Sequence, residues 1–148
     1  MKIFLDTNVL VAASVRQHPH FEKADAMLRR CKVGADAGYM NAHSVLEYHS
    51  ALTQLPRGLA VPPDQVSILL RESILNYVTV VGIPPSDLPE VGQMASERGL
   101  IGGVIYDFYH LTVARREAVD RFYTFNTKHF MEMADPDFRD RIMAPGDQ

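Results

Sequence analysis

Residues 2–14 read KIFLDTNVLVAAS, and the position of one charge in that run decides the fold. Ile3, Phe4 and Leu5 are apolar, and Val9 to Ala13 are apolar again, with Asp6, Thr7 and Asn8 between them. An unpaired carboxylate is costly to bury inside an apolar element. The run therefore divides. A short strand covers Ile3 to Leu5, a turn carries Asp6, and a helix covers about Val9 to Val15 with Asn8 as its N-cap. That division moves Asp6 from the interior of an element to its rim.

The rest of the chain alternates in the same way. Phe21, Ala24, Met27, Leu28 and Cys31 keep helical spacing, so Pro19 to Lys32 reads as a second helix that Gly34 ends. Ala37 to Met40 is a second strand. Asn41 caps a helix carrying Val45, Tyr48, Leu52 and Leu55, stopped by Pro56 and Gly58. Pro62 and Pro63 open another helix, and YVTVVGI (77–83) is a β-branched strand. Leu88, Val91 and Ala95 mark a helix ending at Gly99. GGVIYDFYHLTVARRE (102–117) is a long helix, RFYTFN (121–126) a strand, TKHFMEM (127–133) a short helix and RIMAP (141–145) an edge strand. Strands alternating with helices predict an α/β fold, with parallel strands joined by helical crossovers on both faces. In such sheets functional groups collect outside the carboxyl ends of the strands. Asp6 is expected at one such end and Asn126 at another.

Bulk properties narrow the function classes. With 148 residues and 47% apolar content, one ordered domain with a real core is expected. The single Cys31 allows no intrachain disulfide, and no run resembles a signal peptide or a membrane helix. The expectation is a cytoplasmic protein with no membrane association. A net charge of −3 argues against electrostatic coating of nucleic acid. It leaves room for an enzyme that gathers carboxylates around a metal.

Three carboxylates interrupt apolar segments: Asp6, Glu47 in SVLEYHSAL, and Asp107 in GGVIYDFYHL. Each has an ordinary reading. Asp6 can cap a helix, Glu47 can sit on an exposed helix face, and Asp107 in an early helical turn suits the macrodipole. His43, His49, His110 and His129 invite a zinc reading, but neither HExxH nor Cys–His ligand spacing is present. His110 shares a helix face with Asp107 and is expected as a packed, hydrogen-bonded histidine or as a partner of that acid. Arg115 and Arg116 suit the C-terminal end of their helix. Lys128 and His129, with Arg16, His18 and His20, are the expected phosphate contacts.

Taken in order, IFLDTNVLV, SVLEYHSAL, GGVIYDFYHLTVARR and RFYTFNTKHF resemble the PIN-domain ribonucleases, most closely the VapC-type toxins of bacterial toxin–antitoxin pairs. The resemblance spans about residues 1–135. It implies a single PIN-like domain over 1–148, with a core of about 1–135 and a C-terminal extension of 136–148. The implied architecture is a three-layer α/β/α sandwich around a central, mostly parallel sheet. The implied activity is Mg²⁺- or Mn²⁺-dependent endoribonuclease cleavage of RNA by a metal-activated water. The family's three acids fall on Asp6, Glu47 and Asp107, which become the expected catalytic and metal-binding residues. A cognate antitoxin and a homodimer are the implied partners.

The sequence departs from the family at one place. Many relatives carry a fourth acid two residues after the Thr of the late strand, and here Asn126 follows Thr124. Asn126 is kept in the expected catalytic set because its carbonyl can still hold a metal or its water. Three carboxylates undercompensate two Mg²⁺ ions. The expectation is one intact site on Asp6 and Asp107 and a weaker one that fills when an RNA phosphate arrives. The alternative is a PIN-like scaffold that binds RNA or a partner with little or no cleavage. A haloacid-dehalogenase reading needs a second Asp where Asn8 stands. A receiver-domain reading needs paired acids near the first strand.

Overall fold

The computed structural model describes residues 1–147. Five strands, β1 (Lys2–Leu5), β2 (Ala37–Asn41), β3 (Val78–Val81), β4 (Arg121–Tyr123) and β5 (Ile142–Met143), form one sheet in the order β3-β2-β1-β4-β5. Every pairing is parallel. The helices are α1 (Thr7–Ser14), α2 (Phe21–Lys32), α3 (Ala42–Thr53), α4 (Pro63–Leu70), α5 (Leu88–Glu97), α6 (Val104–Arg116), α7 (Thr127–Met133) and α8 (Pro136–Arg139). A π-helical turn, Arg71–Leu75, extends α4. Gly99, at φ +67°, supplies the left-handed residue that ends α5.

Period-2 alternation along β1 separates the two cores. Ile3 and Leu5 pack with Met40, Tyr48, Leu52, Val66 and Ile74 on the α1–α4 side. Phe4 faces the other way and joins Phe108, Leu111, Phe122, Phe130 and Phe138 on the α5–α8 side. Ile3, Phe4 and Leu5 are all fully buried. This is the expected three-layer α/β/α sandwich, with a sheet that is parallel throughout. The chain builds outward from β1 to β3, then returns to add β4 and β5 on the other flank. The strand order thus reverses between β1 and β4, and the crevice at their carboxyl ends is the natural ligand position.

Several boundaries differ from the sequence reading. Helix α1 begins at Thr7, and its N-cap is Asp6, whose carboxylate accepts the Thr7 N–H. Asn8 lies inside the first turn and is not the cap. Helix α2 starts at Phe21 and not at Pro19. Strand β4 stops at Tyr123, so Asn126 is the N-cap of α7. The 136–147 stretch supplies α8 and β5, and it sends Phe138 and Ile142 into the core. Helix α8 has no apolar periodicity to announce it, being only four residues long. Among the described residues no helix is long and apolar enough to cross a membrane.

Candidate functional site

The carboxyl ends of β1, β2 and β4 meet the first turns of α1, α3 and α6. The Asp6 backbone N–H continues the sheet by donating to the Tyr123 carbonyl at 3.0 Å. Its carboxylate accepts the Thr7 N–H at 2.8 Å through Oδ1 and the Thr124 hydroxyl at 2.7 Å through Oδ2. That hydroxyl in turn accepts from Asn8 Nδ2 at 3.1 Å and from the Asn126 N–H at 3.0 Å. Asn8 Oδ1 accepts the Phe125 N–H at 3.2 Å. Asn8 therefore ties the segment after β4 to α1, and Thr124 uses its donor and both acceptor sites. Asp6 is 5% exposed. Burial pushes its carboxyl up to about 6; the field of His110 and the Thr124 and Thr7 hydrogen bonds pull down, while Asp107 adds an upward push.

Glu47 reaches the same crevice from α3. Its Oε1 takes the Thr7 hydroxyl at 3.1 Å and His110 Nε2 at 2.5 Å. The Thr7 hydroxyl also bonds Ser44 at 2.9 Å, one turn before Glu47 on the same helix face. His110 is fully buried. Its Nδ1 meets the Asn41 amide nitrogen at 3.2 Å, and Asn41 Oδ1 caps α3 by accepting the His43 N–H at 3.1 Å. With its oxygen committed to the cap, Asn41 donates to Nδ1. The ring therefore carries its proton on Nε2 and gives it to Glu47. Burial opposes a second ring proton, and the Glu47 hydrogen bond with the charges of Asp6, Glu47 and Asp107 outweighs it. Taking that proton up requires the Asn41 amide to turn and release its cap. For Glu47, burial works against the charge, but bonding and attraction from His110 hold the carboxyl below its usual range. His110 is thus the packed, hydrogen-bonded histidine expected, and the alternative pairing with Asp107 is not formed. Three residues along α6 it shares a face with Asp107, yet its ring crosses to Glu47.

Asp107 stands in the first turns of α6, where the dipole favours its charge. Its Oδ2 lies 2.9 Å from His129 Nε2. His129, expected as a phosphate contact, is instead the hydrogen-bond partner of an acid. The side chain of Asn126 is exposed and bonds none of the three acids among the described residues. Arg115 pairs with Asp135 and Asp137, and Arg116 with Asp87. Arg115 and the two C-terminal acids are thus engaged with one another, and Arg116 with the acid preceding α5. Lys128 is exposed beside Arg139. His20 stacks on Phe125 at 4.4 Å and 14°.

Sequence reasoning missed the hub role of Thr124, the Ser44 bond, and the Asn41–His110–Glu47 chain. Ser44 was discoverable from its spacing to Glu47. The bonds across 69 and 63 residues to His110 carry no local signal.

Among the described residues no three His, Cys, Asp or Glu side chains close into a cage around a point. This holds for Asp6, Glu47 and Asp107 as well, which share an oxygen-rich crevice without closing into a ligand set. Asp6 holds no basic side chain, and it feels the Asp107 charge. This donor set fits a hard divalent ion, which needs one or two protein carboxylates and keeps several waters. Glu47 enters the same crevice tied to Thr7 and His110.

The PIN domain model matches residues 3–136. No curated protein matches the chain in sequence. Among solved structures, Mycobacterium tuberculosis VapC20, a toxin that cleaves the sarcin–ricin loop, shares 15% identity at a TM-score of 0.66, over 90% of this chain and 99% of that one. VapBC2 from Rickettsia felis, bound to a DNA fragment from its promoter, shares 17% at 0.62, over 97% and 98%. FitAB bound to a DNA fragment shares 18% at 0.62, over 99% and 96%.

Proposed function

Since this chain belongs to the PIN-domain family, we propose that it is a divalent-metal-dependent endoribonuclease acting as the toxin of a toxin–antitoxin pair. The observation that carries the reading is Asp6. It is a buried carboxylate at the strand-order reversal, hydrogen-bonded with no basic side chain in contact, and it feels the charges of both His110 and Asp107. A structural carboxylate in that position would be expected to bring its own cation. One awaiting an external cation is expected to look like this.

Asp6 and Asp107 would hold Mg²⁺ or Mn²⁺, with Glu47 adjoining them. The ion, when bound, neutralises charge on a phosphodiester and lowers the pKa of a water. The chain's own residues do the positioning. Thr124 and the Thr7 N–H fix both oxygens of Asp6. Thr7 and His110 hold Glu47 ionised and aimed into the crevice. Asn41 fixes the His110 tautomer. His129 orients Asp107. Asn126 offers only a neutral amide where many relatives have an acid, so a second ion would depend on the substrate phosphate for charge. The fold shared with the VapBC2 and FitAB complexes supports an antitoxin partner for this chain too. A homodimer belongs to the same proposal.

The test is RNA cleavage by purified protein. Activity should require Mg²⁺ or Mn²⁺ and fall by about 1,000-fold or more in Asp6→Asn and Asp107→Asn. RNA binding without cleavage in the wild type would support the scaffold reading raised by Asn126.

A further inference from the structure

Beside the acid cluster lies a pocket of about 250 Å³. Its walls are His43, Tyr106 and Tyr109, with Leu88, Val91, Gly92 and Ile105 completing it. The rings of His43 and Tyr106 are parallel, 4.8 Å apart at 9°. Tyr109 is tilted against His43 at 6.2 Å and 53°. The pocket meets the acid cluster through His43, whose Nε2 stands 4.0 Å from Glu47 Oε1, while Tyr106 and Asp107 are consecutive residues in the first turns of α6. Tyr106 is 52% exposed, unusual for an aromatic side chain whose ring is already stacked.

The lining decides which part of a nucleic acid fits. It contains no lysine or arginine, so nothing there would neutralise a phosphate. It offers aromatic and aliphatic surface with polar atoms only at the His43 ring and the two tyrosine hydroxyls. The volume falls below the roughly 300–1,000 Å³ of ordinary small-molecule sites, which suits one planar ring system. A base within a duplex keeps its faces covered by its neighbours, whereas an unpaired base can turn out and stack on aromatic side chains.

We infer that this pocket receives one unpaired nucleobase of the RNA substrate, next to the phosphate presented to Asp6 and Asp107, with Tyr106 as its stacking platform. The inference rests on the nuclease reading and adds a specificity subsite to it. Tyr106 is a substrate-positioning residue, and it selects single-stranded or looped RNA because only such a base can enter. The ring is what matters, so Tyr106→Phe keeps the subsite and Tyr106→Ala removes it.

The test uses the full chain with short unstructured RNAs containing 2-aminopurine at single positions, whose fluorescence falls on stacking. Wild type and Tyr106→Phe should quench the probe at one position near the cut. Tyr106→Ala should lose that quench and raise KM about 10-fold with kcat unchanged, the scale of one lost base–aromatic stack. Cleavage by the wild type together with an unaltered KM and quench in Tyr106→Ala would overturn the subsite and leave the nuclease reading standing. Neither binding nor cleavage of RNA by the wild type would overturn both. A fall in kcat alone in Tyr106→Ala, with KM kept, would also overturn the subsite, since it would place the residue with Asp107 and not with the base.

Discussion

Two buried aspartates lie at opposite edges of the same sheet and are treated in opposite ways. Asp36 precedes β2 at the amino edge, and Asp6 follows β1 at the carboxyl edge; they are 6% and 5% exposed. Asp36 accepts from Arg30 Nε at 2.5 Å and from the Met1 ammonium at 3.1 Å. The Arg30 hydrogen bond, with help from the ammonium, holds its carboxyl below the usual range. Asp6 has hydrogen bonds but no basic side chain in contact, and burial pushes it up to about 6 against the more distant pull of His110. A carboxylate that serves the fold is neutralised by the fold. On the metal-binding reading proposed above, Asp6 is left short of positive charge, and the fold bears the cost until an ion arrives.

The largest effect on stability should come from the histidine that serves the crevice. Replacing His110 by Ala removes a fully buried ring and leaves Glu47 Oε1 and the Asn41 amide without a partner. A loss of about 3 kcal/mol in urea unfolding is expected, with part recovered in His110→Gln. An unchanged midpoint would mean that the Asn41–His110–Glu47 chain is not formed.

Next is the carboxylate that brings its own cation. Asp36→Ala should cost about 1–2 kcal/mol, moderated because Arg30 is half-exposed, and lower the melting temperature by several degrees. RNA cleavage measured well below that temperature should be unaffected. Lost activity in the folded variant would erase the distinction between the two aspartates.

The smallest effect is the pH response of the metal-free protein. The folded-state pKa of Asp6 lies above its ordinary value of 3.8, so the native state binds the proton more tightly. Its contribution is fully present below about pH 4 and is lost as pH rises through 6. Asp36 runs the other way, and its contribution is lost as pH falls below the ordinary carboxylate range. The metal-free melting temperature of the wild type, measured against Asp6→Asn, should therefore decline between pH 4 and about 6 by an amount worth roughly 1–3 kcal/mol at most. Mn²⁺ should reverse the decline at pH 7 and have little effect near pH 4. Wild-type and Asp6→Asn curves that run parallel through this range would show that Asp6 is already neutralised.

Much of this was legible from residue order. The apolar run broken by Asp6 located the strand-to-helix turn, and the alternation of elements located the carboxyl edge. Glu47 and Asp107 were visible as charges inside apolar segments. What stayed hidden depends on long-range geometry. Asp6 caps α1 because its backbone is extended where the helix begins, which frees Asn8 to bond Thr124 and Phe125. Helical spacing placed His110 with Asp107, but its ring is drawn to Glu47 by an acceptor on another helix. The late strand ends early, so Asn126 turns outward as the first residue before α7. Thr124, a small polar residue in an apolar strand, was the one local signal that pointed to the hub.

On the reading proposed above, Asp6 has no basic side chain in contact because it is built to receive an external cation. Calorimetric titration of Mn²⁺ into the folded protein at pH 7.5 tests it directly. One binding event is expected for the wild type and for Asp36→Asn, with none in Asp6→Asn or Asp107→Asn. Equal Mn²⁺ affinity in the wild type and Asp6→Asn, with both proteins folded, would contradict it.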